Sequence, residues 1–66
     1  MKIQLNGDVR ELDRHSSIQA LLVIEGLADR RVAVEVNGEI VPRGRHDMHL
    51  LVEGDRVEIV HALGGG

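Results

Sequence analysis

Apolar and polar residues alternate through the opening stretch Met1-Lys2-Ile3-Gln4-Leu5. A period of two predicts a half-buried strand, with Met1, Ile3 and Leu5 on one face and Lys2 and Gln4 on the other. Asn6-Gly7-Asp8 follows, and Asn-Gly between apolar runs is the strongest short-range hairpin signal. A return strand is expected over 8–12. Val9 and Leu12 then fall on opposite faces unless a bulge intervenes.

Periodicity changes after residue 15. Ile18, Leu21, Leu22 and Glu25 are spaced as on a helix, and Gly26 is placed to end it with a left-handed cap. Ser16-Ser17-Ile18-Gln19 reads as the start, with Ser16 as N-cap and the Gln19 side chain reaching back in a capping box. The β-branched content of Leu21-Leu22-Val23-Ile24 would suit a strand, and the capping signals decide for helix. A polar loop, Ala28-Asp29-Arg30-Arg31, leads back to alternation in Val32-Ala33-Val34-Glu35-Val36. Asn37-Gly38 predicts a second hairpin, and its short return strand ends at Pro42, which has no N–H to give a ladder. The segment 43–49 is polar and irregular, Leu50-Leu51-Val52 is a short apolar piece, and Glu53-Gly54-Asp55 is a turn. The last strand begins at Arg56, with Val57 and Ile59 inward and Arg56 and Glu58 outward.

Two hairpins flanking one helix, with the first and last strands as parallel neighbours, define an α+β fold. The expected architecture is a β-grasp (ubiquitin-like) domain over 1–63, a mixed four- to five-stranded sheet with one main helix across one face. Residues 64–66 are expected to be a flexible glycine tail.

Composition narrows the function. With 66 residues there is room for one domain and a small core, and the absence of Phe, Tyr, Trp and Cys makes that core wholly aliphatic. Eight Lys and Arg are scattered among eleven acids, for a net charge of −3. A nucleic-acid binder would need a basic stripe and, for single strands, aromatic platforms. No apolar run is long enough for a membrane span and no leader pattern precedes the first strand, so a cytoplasmic protein is expected. There is no thiol nucleophile, no phosphate-cradling glycine loop and no local Ser/His/Asp signature, so the chain is expected not to be an enzyme.

What remains is the end of the chain, His61-Ala62-Leu63-Gly64-Gly65-Gly66. Glycines add nothing to a core, but without Cβ atoms they can thread a narrow tunnel and approach a partner's backbone closely. The expectation is chemistry at the Gly66 carboxylate, with Gly64 and Gly65 as the threading residues. A carboxylate must be activated before it can be transferred, as an acyl-adenylate made from ATP, and this chain has no means of doing so. ATP is therefore expected to be used by an activating partner, with no cofactor held here. Val60, Ala62 and Leu63 form an apolar run beside the tail, a candidate docking surface unless a loop covers Val60. His46 and His49 are too few for a zinc centre and read as solvated loop residues. Glu53 and Asp55 read as turn chemistry. The arginine pairs at 30–31 and 43/45 read as solvated loops.

The stretches VAVEVNGEIVPR (32–43) and EGDRVEIVHALGGG (53–66), with the opening IQLNG, resemble the ThiS family, the sulfur carriers of thiamine biosynthesis. The resemblance implies that Gly66 is adenylated by an E1-like adenylyltransferase of the ThiF type. Sulfur from a cysteine desulfurase or rhodanese-type donor would convert it to a thiocarboxylate, and a thiazole synthase of the ThiG type would receive that sulfur. The chain departs from the family pattern at His46, near a place where a tryptophan is common, and in its apolar helix ALLVIEGL. A molybdopterin-type carrier and a plain ubiquitin-like interaction module are the alternatives.

Overall fold

The computed structural model describes residues 1–61. Five strands, β1 (Lys2–Leu5), β2 (Asp8–Glu11), β3 (Val32–Val36), β4 (Glu39–Val41) and β5 (Arg56–His61), form one sheet in the order β2-β1-β5-β3-β4. Only β1 and β5 run parallel, and every other neighbouring pair is antiparallel. The helix α1 (Ile18–Ile24) packs Ile18, Leu21 and Leu22 against the inward residues Ile3, Leu5, Val34, Val57 and Ile59. This is the β-grasp arrangement expected from the pattern. No helix among the described residues is long and apolar enough to cross a membrane.

Both hairpins turn where Asn-Gly stands. Asn6 and Gly7 have φ of 50° and 89°, and Asn37 and Gly38 have 53° and 86°, the paired positive values of a type I′ turn. The β1–β2 ladder runs without a bulge, pairing Leu5 with Asp8, Gln4 with Val9 and Ile3 with Arg10. The conflict between Val9 and Leu12 resolves differently. Val9 lies on the outer face and is exposed, while Arg10 shares the inner face with Ile3 and the buried Leu12 continues it.

The helix begins one residue later than expected. Ser17, not Ser16, is the N-cap, its Oγ accepting the Ala20 N–H at 3.0 Å. Ser16 instead donates its hydroxyl to the Asp13 carbonyl, and the return bond expected of the Gln19 side chain is not made. The reason is tertiary. Ile18 N–H donates to the His49 carbonyl at 3.0 Å and Gln19 N–H to the His46 carbonyl at 2.9 Å, so the 46–49 loop supplies the acceptors that helix termini lack. At the other end Gly26, with φ of 75°, donates to Val23, and Leu27 donates to Leu22. That pair of bonds is a Schellman cap, with the half-buried Leu27 folded against the core.

The segment after β4 corrects a second expectation. Arg43–Arg45 form a single 3₁₀ turn that swings His46 inward, where it is only 3% exposed. Its Nε2 lies 3.0 Å from the Val41 carbonyl oxygen. His46 is therefore a core residue, not a solvated one. His49 is half-buried, and Arg43 and Arg45 are exposed.

Candidate functional site

The last strand carries the candidate site because it is the central strand of the sheet. On one side β5 pairs with β3 from Val57 to His61, and on the other it pairs with β1 at Arg56 and Val57. The described chain ends on this braced strand. Ala62, Leu63, Gly64, Gly65 and Gly66, five of the six residues singled out for the tail and docking surface, lie outside the described residues.

Alternation divides β5 between two faces. Val57 and Ile59 are buried under the helix, whereas Arg56, Glu58 and Val60 point to the open face. Among the described residues no loop covers Val60, which is 60% exposed and stands opposite Ala33. Glu58 stands opposite Glu35, and Glu35 opposite Ile40, which is also exposed. The open face next to the tail thus presents apolar residues around two carboxylates. Like charges set directly across two strands disfavour the sheet by a few tenths of a kcal/mol or more.

The inner face has a different character at the end of β5. His61 follows Ile59 in parity and lines a shallow pocket with Asn6, Asp8, Arg10, Glu25 and Leu27. Arg10 Nε lies 3.4 Å from Glu25 Oε2, linking β2 to the end of the helix. Asn6 closes the arrangement. Its Nδ2 donates to the Ile59 carbonyl at 3.2 Å, and its Oδ1 accepts the Ile59 N–H at 2.8 Å. From the sequence Asn6 has a turn role alone and Arg10 none. The parity of Arg10 with Leu12 was the available signal for the latter.

At the far end of β5 the carboxylate of Asp55 accepts the Val52 N–H at 2.9 Å and the Asn37 Nδ2–H at 3.0 Å. Glu53 accepts the Lys2 N–H at 3.0 Å. Asp55 thus acts as a turn residue, as its spacing suggested, whereas Glu53 reaches the backbone of β1, 51 positions away. Among the described residues no three His, Cys, Asp or Glu side chains converge as metal ligands would.

Comparison with known proteins bears on the whole chain, tail included. The ThiS family model matches residues 3–66. The sulfur carrier protein ThiS of Bacillus subtilis is 42% identical over 97% of this chain and 98% of its own length. This chain belongs to the ThiS family. The crystal structure of the thiamine biosynthesis protein ThiS from Geobacter metallireducens superimposes with a TM-score of 0.85 at 32% identity, covering 100% of both chains. A thiazole synthase of Magnetococcus marinus is 41% identical over 100% of this ThiS-family chain. The chain spans only 20% of that synthase's length.

Proposed function

We propose that this chain is a sulfur carrier and a protein cosubstrate, not a catalyst. An oxygen of the Gly66 carboxylate attacks the α-phosphorus of ATP on an E1-like adenylyltransferase, releasing pyrophosphate and leaving an acyl-adenylate. The outer sulfur of a persulfide on a cysteine desulfurase or rhodanese-type donor then attacks the acyl carbon and displaces AMP, giving an acyl disulfide. A second thiol cleaves that S–S bond by forming a disulfide with the donor's cysteine. The result is a thiocarboxylate with sulfur in place of one oxygen. A thiazole synthase takes that sulfur for the thiazole ring of thiamine, and the cytoplasm, which supplies ATP, is the compartment we propose for it.

The observation that carries the reading is the family match, which runs through Gly66 and does not stop at the fold. Two further facts support it. A region like this chain occurs within a polypeptide named thiazole synthase, which fits carrier and acceptor working as a pair. The exposed Val60 sits on the central strand that leads into the tail, which suits a docking surface continued by Ala62 and Leu63. Gly64 and Gly65 are the residues that pass through the partner's channel, where a Cβ would obstruct.

The test is reaction with ATP, the adenylyltransferase and a sulfur donor, followed by intact mass. The expected product is heavier by the difference between sulfur and oxygen. Deleting Gly66 removes the gain while leaving the circular dichroism spectrum unchanged. An equal gain in the truncated chain would place the chemistry elsewhere.

A further inference from the structure

The tail's point of departure is held by a side chain from another hairpin. Alternate carbonyls of the last strand's segment are met by the first strand's N–H groups, Gln4 N–H to the Asp55 carbonyl and Asn6 N–H to the Val57 carbonyl, both 2.9 Å. The next carbonyl of β5 in that series belongs to Ile59. No strand residue remains to meet it, because the chain turns at Asn6 with φ of 50°. The Asn6 amide takes the place of the missing strand, donating to the Ile59 carbonyl and accepting the Ile59 N–H. Only a residue with both a donor and an acceptor in one short planar group can do this, and Asn also tolerates the left-handed turn.

We propose that Asn6 is a positioning residue for the carrier reaction. It clasps Ile59 so that β5 stays in register on its β1 side through its last residues, fixing the direction in which the strand ends at His61. The inference rests on the carrier reading above and deepens it. Asn6 touches none of the reacting atoms. Its effect is on how often the tail is aimed correctly when the carrier meets the adenylyltransferase.

The second hairpin provides the control. Asn37 has the same φ and the same turn, and its Oδ1 accepts the Arg56 N–H at 3.0 Å. Its clasp is therefore at the start of β5, away from the tail. Glycine accepts the positive φ at either position, so Asn6→Gly and Asn37→Gly each remove the amide and keep the turn. A carboxylate at position 6 keeps the acceptor for Ile59 N–H and loses the donor, so Asn6→Asp gives a partial form.

The experiment is ATP-dependent pyrophosphate release by the adenylyltransferase with varied carrier, together with amide exchange at Ile59. Asn6→Gly is expected to raise KM for the carrier about three- to tenfold at unchanged kcat, the scale of one lost net hydrogen bond. Its Ile59 amide should exchange about tenfold faster than in the wild type. Asn6→Asp should lie between, and Asn37→Gly should lose stability without moving KM. Equal KM changes in the two glycine variants, or none in Asn6→Gly, overturn the inference while leaving the carrier reading intact. A wild-type chain that supports no pyrophosphate release sinks the carrier reading and this inference with it.

Discussion

His46 shows how much one buried polar side chain can organise. The ring is bonded to the Val41 carbonyl of β4, its own carbonyl receives the Gln19 N–H of the helix, and its N–H donates to Arg43. One residue thus joins the sheet edge, the 3₁₀ turn and the helix start. His46→Ala would leave a void in the core and remove a donor from Val41. The expected loss is about 1–3 kcal/mol, measured by urea denaturation. A loss within experimental error would mean that the loop holds itself without the ring. The burial of His46 was not legible in the sequence, where Arg45 and Asp47 flank it and no period selects it. Its slot is built by a carbonyl on one element and a helix terminus on another, and such a slot has no local signature.

At the scale of elements, local rules gave most of the fold and tertiary partners moved the details. The alternation of Ile3 with Leu5 and of Val34 with Val36, and the two Asn-Gly turns, hold as read, because a strand with one buried face has a single permissible parity. The helix survives its β-branched residues because Val23 and Ile24 are exposed while Ile18, Leu21 and Leu22 carry the packing. Its start shifted because the loop carbonyls of His46 and His49 satisfied the first two N–H groups, leaving Ala20 for Ser17. Ser17→Ala should therefore destabilise the chain by about 1 kcal/mol in thermal or urea melts. Ser16→Ala should fall within about 0.5 kcal/mol, as for an ordinary surface change. The reverse order would restore Ser16 as the cap. On the open face, the carboxylates of Glu35 and Glu58 meet across β3 and β5. Glu58→Lys turns that repulsion into attraction and should stabilise the sheet by about 0.5 kcal/mol, with the gain shrinking in high salt. A destabilised variant would show that the two side chains avoid each other in solution.

The sheet formed by the described residues places its one parallel strand pair at the centre, with the candidate reactive end following β5 in sequence. A chain of this size commands only about 3–10 kcal/mol of stability, so the loss of one well-made contact is felt. Every strongly held group found among the described residues serves the fold: His46 the helix start, Asp55 the turn before β5, Asn6 and Asn37 the two flanks of β5. The candidate chemistry is read from the glycines at 64–66, which lie outside the described residues. The Asn6 brace is not legible in the sequence, since Asn6 and Ile59 lie 53 positions apart. If the fold exists to present one activated carboxylate, the modification should be found on the protein in cells. Intact mass of the chain isolated from its native host, with fragmentation of the C-terminal peptide, reads this directly. The account predicts a species heavier by sulfur minus oxygen, with the difference confined to Gly66. Cells actively making thiamine that yield only the unmodified carboxylate would contradict it.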